Sequence, residues 1–408
     1  MQAYERLLHY ITFDTASDET KEQTPSTQGQ MVLARELAKE MKELGMQEVF
    51  VDEHAYTYGS IPASNGCADV APIGFIAHLD TVNEVPVYPV KIQMIKNYDG
   101  GIVPLGTCQK VLDPEKFPHL KNAAGKTLIT TDGATLLGSD DKSGIAEIMT
   151  MCERLLSSDI PHGKICVCFT PDEEIGHGAD LLDLERFGAD YAYTVDGSEP
   201  ELIEYETFNA ASAKWSIAGF ETHPGSAKDV MINAALVAME INGMLPDAEI
   251  PSKTEGYEGF YHLCAMEGNV SKASLEYIIR DHDPEKFEKR KKRMLEIEKQ
   301  INEKYGEGTA VLELKDQYRN MEEILRNYPQ ILERAGKAVK KAGLAPASNP
   351  VRGGTDGARL SFRGLPCPNL GTGGYAYHGP YEHVIAEQMD TMVEILVNIA
   401  AQEKGVAK

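Results

Sequence analysis

Apolar positions follow two different periods along the first half of the chain. Helical spacing occurs in residues 27–44 and again in residues 143–156. Short apolar runs that are rich in β-branched or aromatic residues and bounded by turn residues predict strands. These runs occupy residues 47–52, 73–79, 164–169 and 191–195. Helices that alternate with strands in this way predict an α/β fold with a mostly parallel, doubly wound sheet.

The middle of the chain has a different order of elements, β-α-β-β-α-β, which is typical of a ferredoxin-like α+β domain. The elements are the strand AASAKWSIAG from about residue 207, a helix at 227–245, strands at 260–266 and 273–280, a charged helix at 284–305, and a strand at 309–314. The α/β alternation resumes after about residue 321. The sequence therefore predicts an inserted domain at residues 207–321 within a larger domain formed by residues 1–206 and 322–408.

Composition and charge disfavour several classes of partner. The 408 residues carry 40 basic and 63 acidic side chains, and the formal net charge of −23 disfavours binding to nucleic acid or anionic membranes. We find no signal-peptide pattern and no apolar run long enough to span a bilayer, so we expect a cytoplasmic protein. The seven cysteines lack C-x-x-C spacing, which favours reduced thiols. The oligomeric state stays open.

A histidine and an aspartate end the apolar run IGFIAHLDTV at residues 73–82. Alternate residues of a strand point to the same face, so we expect His78 and Asp80 to face the same way at the carboxyl end of a strand. The pair alone has an ordinary explanation, because a buried histidine needs a hydrogen-bond partner. Its meaning depends on which other residues reach that end of the sheet.

Acidic residues follow the other predicted strands of this domain. Asp140 follows TLLGS, Glu173 and Glu174 follow KICVCFTPD, and Asp196 follows YAYTV. Each has an ordinary explanation as a helix cap or a turn residue. The carboxyl ends of parallel strands nevertheless share one edge of a sheet, where ligands bind, so we expect these side chains to gather there. His378 in the glycine-rich stretch GTGGYAYHGP is a further candidate, because glycines let the backbone approach a site closely.

Several known motifs fail on spacing. GATLLGSDDKSG has the glycine interval of a phosphate-binding loop without its Lys and Ser/Thr, and an EF-hand loop from Asp140 would need Glu where Met151 stands. H-E-x-x-H does not occur, HGPYEH has three residues where the inverted motif allows two, and GTGG does not complete G-x-G-x-x-G. The remaining set of carboxylates and imidazoles, without a thiolate, suits zinc, cobalt or manganese.

A count of charges favours two ions in such a site. Two divalent ions bring +4, three carboxylate ligands bring −3, and a bridging hydroxide would neutralise the remainder. Five protein ligands shared by two ions leave open positions, which catalytic sites need and structural zinc sites lack.

Seven short motifs follow one another along the chain: HLDTV, GSDDKSG, PDEEIGHG, VDG, THPG, IIRD and RGGTDG. In this order they resemble the co-catalytic zinc exopeptidases that include aminoacylase and glutamate carboxypeptidase, and among these the bacterial aminotripeptidases. The similarity covers the whole chain, and its specific parts are PDEEIG and the interval from HLDTV to GSDDKSG.

The resemblance implies a metal-ligand set. Asp140 would bridge two zinc ions, His78 and Asp196 would complete the protein ligands of one ion, and Glu174 and His378 those of the other. Cobalt or manganese remain alternatives to the two zinc ions.

The resemblance also implies roles beside the metals. Asp80 would orient its neighbouring histidine ligand, and Glu173 would be the general base.

The resemblance further implies that the inserted domain is a lid that helps to bind a small peptide substrate. There His223 would stabilise the oxyanion, and Arg280 or Arg352 would pair with the substrate carboxylate. Asn269 lies closer to Arg280 than the corresponding asparagine does in many relatives, which leaves its role open.

The leading hypothesis is a dizinc aminopeptidase that cleaves the N-terminal residue from tripeptides. One alternative is an amidohydrolase or deacylase of the same family that acts on N-acyl amino acids or dipeptides. Another is a non-catalytic metal-binding protein. The presence of Glu173 favours hydrolysis, because a base beside the ligands serves catalysis and not mere binding.

Overall fold

A computed structural model describes residues 1–106 and 108–402 of the chain. They form two units. The first contains Met1–Tyr205, Glu323–Ser348 and the described residues from Thr355 onward, and the second contains Glu206–Glu322 and Asn349–Gly354. The sequence pattern assigns residues 322–408 as a whole to the larger domain. Asn349–Gly354 lies instead with the second unit, where the Val351 N–H donates a hydrogen bond to the Glu206 carbonyl at 2.9 Å.

The described residues contain ten α-helices, and four of them overlap the helices that the apolar spacing predicts. The ten helices are α1 (Ala3–Tyr10), α2 (Gln28–Leu44), α3 (Ser139–Leu156), α4 (Leu184–Phe187), α5 (Ala234–Gly243), α6 (Pro284–Tyr305), α7 (Glu322–Leu325), α8 (Pro329–Lys341), α9 (Asp356–Phe362) and α10 (Ala386–Ala400). None of these described helices has the length and apolar character needed to cross a bilayer.

The strands belong to four sheets. They are β1 (Gln47–Val51), β2 (Thr57–Ile61), β3 (Ile73–His78), β4 (Ile92–Ile95), β5 (Val103–Pro104), β6 (Val111–Leu112), β7 (Leu128–Thr131), β8 (Ile165–Thr170), β9 (Tyr191–Gly197), β10 (Ile203–Glu204), β11 (Asn209–Ala218), β12 (Phe260–Gly268), β13 (Lys272–Asp281), β14 (Ala310–Tyr318), β15 (Asn369–Gly371), β16 (Gly374–Tyr375) and β17 (His383–Ile385).

The helix predicted at 227–245 is too long. Residues 228–230 form a turn and Ile232 pairs with Phe220 in an isolated β-bridge, so the first part of the predicted range is not helical. The helix begins at Ala234 because the Asn233 side chain accepts hydrogen bonds from the next backbone N–H groups.

A seven-stranded sheet in the order β1-β2-β8-β3-β9-β15-β10 forms the centre of the first unit. The four strands from β8 to β15 run parallel, and the outer pairings are antiparallel. Phe75 packs on one face with α1, α2, α3, α8 and α10, whereas its neighbour Ile76 packs on the other face with α4 and α9. The predicted α/β fold with a mostly parallel, doubly wound sheet is confirmed.

Three parallel strands bring polar residues to one edge of this sheet. β3 ends at His78, which pairs in register with Thr170 at the end of β8. Glu173 and Glu174 follow Thr170 in the next turn, and Asp196 is the penultimate residue of β9. The carboxyl ends of parallel strands coincide in space, so side chains far apart in sequence meet there.

A second sheet of the first unit, in the order β16-β17-β7-β4, escapes the sequence pattern because its strands are very short. β17 pairs with β7 so that His383 lies opposite Thr130. The hairpin between β16 and β17 contains His378, and the chain after β7 leads into the start of α3 at Asp140. This sheet therefore brings two candidate residues together that are 238 positions apart.

The second unit contains a four-stranded antiparallel sheet in the order β12-β13-β11-β14. This is the ferredoxin-like order that the sequence predicts. Helices α5 and α6 pack with one face of the sheet around the buried Trp215.

We expect Gly144→Ala to destabilise the first unit. Gly144 lies in α3 against β9, and a Cβ there would stand 1.9 Å from the Val195 carbonyl oxygen and 2.6 Å from an Asp141 carboxylate oxygen. Such overpacking costs about 1–3 kcal/mol of unfolding free energy, measured by urea denaturation. The control is Gly243→Ala in α5, where no atom lies within 4 Å and stability should stay equal or rise slightly. Equal stability of the two variants would contradict close packing of α3 on β9.

Candidate metal centre

His78 is oriented by groups on both sides of its ring. Its Nδ1 lies 3.1 Å from the Asp80 carbonyl oxygen and 3.3 Å from an Asp80 carboxylate oxygen. Its Nε2 lies 2.9 Å from Asp140 Oδ1 and 3.4 Å from Asp196 Oδ1. A proton on Nδ1 directed at Asp80 leaves Nε2 as the nitrogen that is available to a metal ion.

Asp140 lies between the two histidines of the site. Its Oδ1 faces His78, and its Oδ2 lies 3.1 Å from His378 Nε2. Asp140 and Asp141 have non-helical backbone angles at the start of α3, and the peptide bond between them is cis. One carboxylate thus offers one oxygen to each of two imidazoles, as a carboxylate shared by two ions would.

Glu174 and His378 form the other side of the site. Glu174 Oε2 lies 3.1 Å from His378 Nε2, while Glu174 Oε1 is buried without a hydrogen-bond partner among the described residues. His378 has a φ of 59°, a left-handed conformation that is uncommon for a residue other than glycine and that often marks a functional position.

The pKa values of the site's carboxylates reflect burial first and neighbouring charge second. Burial raises the pKa of Glu174 to about 8 and that of Asp196 to about 7. Burial also acts to raise the pKa of Asp140, but hydrogen bonds with His378 and His78 outweigh burial and lower it. Hydrogen bonds with Asp140 and Glu174 raise the pKa of His378 to about 11. The carboxylates therefore favour positive charge between them, which a divalent cation would supply.

The donor set fits a divalent metal. Ligand atoms of His78, Asp140 and Glu174 lie within 4.8 Å of one another, and so do those of His78, Asp141 and Asp196. Imidazole and carboxylate ligands without a thiolate suit zinc, cobalt or manganese. The unpartnered Glu174 Oε1 is a further sign of fit, because buried carboxylate oxygens are rarely left without a hydrogen bond or a cation.

Asp80 links the histidine to the two glutamates. Its buried carboxylate accepts hydrogen bonds from the backbone N–H groups of Glu173 at 3.0 Å and Glu174 at 3.1 Å.

Burial raises the pKa of Glu173 well above its usual range, and the negative charges of Asp196, Asp356 and Glu174 add to the shift. A glutamate with a raised pKa is suited to take up a proton and release it again.

Sequence reasoning missed several carboxylates that support this site. Asp141 accepts hydrogen bonds from the His78 and Gly144 backbone N–H groups at 3.1 and 3.2 Å. Asp172, next to Glu173, accepts hydrogen bonds from the Ser26 backbone N–H at 2.8 Å and hydroxyl at 2.6 Å. The adjacent acidic pair in GSDDKSG was a signal for Asp141, whereas nothing local linked Asp172 to a residue 146 positions away.

Glu382 and Tyr377 hold the loop that carries His378. The Tyr377 hydroxyl donates a hydrogen bond to the Gly197 carbonyl at 2.8 Å, next to Asp196. The Glu382 carboxylate accepts hydrogen bonds from the segment that leads into Asp140. The stretch HGPYEH contains this glutamate, but its spacing served only to exclude the inverted metalloprotease motif and did not indicate a role for Glu382.

The four predicted substrate-binding residues all belong to the second unit. His223 Nδ1 accepts a hydrogen bond from the Gly225 N–H at 3.1 Å, so the neutral ring carries its proton on Nε2. That Nε2–H is a donor on an exposed side chain.

The two arginines differ in their surroundings. Arg352 donates to the Gly256 and Glu258 carbonyls at 2.8 and 2.9 Å and to Thr254 Oγ1 at 2.9 Å. Arg280 donates only from Nη1, to the Ala211 and Ile279 carbonyls at 3.3 and 3.0 Å. Among the described residues, Nε and Nη2 of Arg280 therefore keep the two parallel donors that a carboxylate can use.

Asn269 has a clear structural role. Its Oδ1 accepts hydrogen bonds from the Ser271 and Lys272 N–H groups at 2.9 and 3.1 Å, in the turn between β12 and β13. An asparagine that closes a turn in this way is an ordinary turn residue. The structure thus explains Asn269 without a substrate.

Comparisons with known proteins agree with the motifs. Residues 132–402 match the model of peptidase family M20/M25/M40. The chain is 52% identical over 399 residues to a peptidase T of Clostridium perfringens, covering 98% of both chains.

Solved structures share the fold. The fold is similar to that of an aminopeptidase PepT from Bacillus cereus, with a TM-score of 0.77 at 24% identity. The alignment covers 98% of this chain and 97% of that one. A dinuclear metal-binding peptidase of the M20 family from Bacillus subtilis has a TM-score of 0.64 at 14% identity, with the same coverage of both chains.

Proposed function

The chain belongs to peptidase family M20/M25/M40, with peptidase T among its relatives, and we propose that it is a dizinc aminopeptidase that removes the N-terminal residue from tripeptides. The peptidase activity follows from the family. The substrate class is supported by the 52% identity to peptidase T over 98% of both chains.

One observation carries the proposal of two ions. The Asp140 carboxylate directs one oxygen at His78 and the other at His378, at 2.9 and 3.1 Å. We propose that Asp140 bridges the ions, that His78 and Asp196 complete the ligands of one, and that Glu174 and His378 complete those of the other. Two bound ions would supply the positive charge that polarises a peptide carbonyl and lowers the pKa of the attacking water.

The chain's own residues would perform the proton transfers. Glu173, the proposed general base, would take a proton from the attacking water and deliver it to the leaving amine. Asp80 would fix the base through the Glu173 N–H, and it would fix His78 through Nδ1. His223 would donate its Nε2–H to the developing oxyanion.

The metal and the compartment are part of the proposal. Zinc is the first choice, with cobalt and manganese as alternatives, because all three accept a mixed set of imidazole and carboxylate ligands. We also propose a cytoplasmic location. All seven cysteines carry free thiols, and those of Cys152, Cys166, Cys168 and Cys367 are buried, as expected for a protein of a reducing compartment.

We expect hydrolysis of a tripeptide, but not of an N-acetyl amino acid or a dipeptide at comparable kcat/KM, in assays supplemented with zinc, cobalt or manganese. Glu173→Gln should lower kcat by about 100- to 10,000-fold while both ions remain bound, because the change removes a base and no ligand. Metal analysis and the tripeptide assay would use the same preparation.

The matched control for this substitution is Glu185→Gln in α4, which changes an exposed glutamate remote from the ligands. A preferred N-acetyl amino acid would indicate a deacylase instead. Loss of one ion from Glu173→Gln, or activity within tenfold of wild type, would refute the role of the base.

We expect Asp140→Ala to lose both ions and Asp196→Ala to weaken mainly one. A bridging carboxylate compensates the charge of two ions, whereas a terminal ligand serves only one. The measurement is zinc content after dialysis against buffer of fixed free zinc. Equal, partial losses in both variants would contradict the bridge.

We expect substrate length to be selected through the C-terminal carboxylate and Arg280. Amidation of a tripeptide's C-terminus should reduce transition-state stabilisation by about 2–5 kcal/mol in kcat/KM, the cost of leaving one member of a charge pair without its partner. Arg280→Ala should then cleave the free and amidated peptides at similar rates.

Arg352→Ala is the matched comparison, because its guanidinium is already held by Gly256, Glu258 and Thr254. This variant should keep the preference for the free carboxylate. If Arg352→Ala and not Arg280→Ala abolishes the preference, the assignment of the two arginines is reversed.

A further inference from the structure

Glu382 is a buried carboxylate with an unusual number of hydrogen bonds to one short segment. Its side chain accepts hydrogen bonds from the backbone N–H groups of Leu137 at 2.7 Å, Gly138 at 2.8 Å, Ser139 at 2.7 Å and Asp140 at 3.0 Å. The Ser139 hydroxyl donates a fifth at 2.6 Å. One side chain thus holds the whole turn that leads into α3.

Hydrogen bonds also hold the backbone of Glu382. Its N–H donates to the Gly379 carbonyl at 3.2 Å, and its carbonyl accepts a hydrogen bond from Thr130 Oγ1 at 2.9 Å. Gly379 directly follows His378. The residue therefore connects the His378 loop to the Asp140 turn by a short and fully hydrogen-bonded path.

A carboxylate suits this position better than an amide. All five partners are donors, and an ionised carboxylate accepts through both oxygens, whereas glutamine would direct an NH₂ group at backbone N–H groups. Charge-assisted hydrogen bonds to N–H groups are also stronger than neutral ones. The buried Lys142 ammonium, which donates to the Phe13 carbonyl at 2.9 Å, adds an attractive charge interaction with Glu382.

We propose that Glu382 is a positioning residue that sets the spacing between Asp140 and His378 and thereby the affinity of the site for its second ion. The inference rests on the proposed function, because it concerns the ion shared by Asp140, Glu174 and His378. Glu382 acts through the backbone of both the Asp140 turn and the His378 loop. Since His378 serves only the second ion, the affinity for that ion should fall more than that for the first.

The test measures zinc affinity in three variants of graded severity. Ser139→Ala removes one hydrogen bond of five, Glu382→Asp shortens the side chain so that it cannot reach both ends of the turn, and Glu382→Gln replaces the carboxylate. We expect the affinity for one of two zinc ions to fall in that order, by about 10- to 100-fold for Glu382→Gln, as when groups that orient metal ligands are removed. The measurement is competition with a chromophoric chelator, alongside thermal unfolding of the zinc-free protein.

Glu40→Gln is the control for general destabilisation. Glu40 accepts hydrogen bonds from Arg6 Nε at 2.7 Å and the Tyr10 hydroxyl at 2.5 Å, away from the metal centre. This variant should unfold at a lower temperature and keep wild-type zinc affinity.

The outcomes separate this inference from the proposed function. Wild-type zinc affinity in the Glu382 variants, with only the unfolding temperature lowered, would overturn the positioning role. Equal weakening of both ions would also overturn it. If Glu382→Gln does not fold, the zinc affinities of the other two variants decide. The affinity for one ion should be lower in Ser139→Ala than in the wild type, and lower still in Glu382→Asp. A wild-type protein that binds fewer than two ions would refute the dizinc proposal itself.

Discussion

The carboxylates of Asp140, Glu174 and Asp196 lie around two imidazoles, and the cost of burying these like charges together is the constraint on which the rest of the site depends. Burial raises the pKa of Glu174 and Asp196 because charged carboxylates lose hydration. Positive charge between them relieves both costs. A divalent cation would supply such charge, since the nearest partners of these acids are the two histidines.

Backbone N–H groups hold this arrangement of like charges in place. Asp80 accepts from the N–H groups of Glu173 and Glu174, and Asp141 accepts from those of His78 and Gly144. Such bonds fix the backbone that carries a ligand without using the ligand's own side chain. The side chains of the candidate ligands therefore stay free to face the site, and the carboxylates behind them hold their positions.

The second unit supplies different chemistry. Its ferredoxin-like sheet carries Arg280 with two donors left for a carboxylate, and His223 carries a proton on the exposed Nε2. Both side chains are hydrogen-bond donors, and the guanidinium also carries positive charge, so they suit the carboxylate and oxyanion roles that we propose for them.

The sequence by itself determined the features that depend on neighbours along the chain. The pairing of His78 with Asp80 was expected from strand periodicity, and the two side chains do meet, although β3 ends at His78 and Asp80 lies just beyond it. The α/β and ferredoxin-like orders follow from apolar spacing, and the motifs were sufficient to predict the family. Residue spacing alone could not place Asp140 between His78 and His378, which are 62 and 238 residues away from it; the family resemblance implied this arrangement, and only the tertiary structure shows it. The strands that bring them together, β7, β16 and β17, have two to four residues each and are too short to carry a periodic signal. Glu382 could not be predicted for the same reason, since the four residues that donate its five hydrogen bonds come close to it only when that short sheet forms.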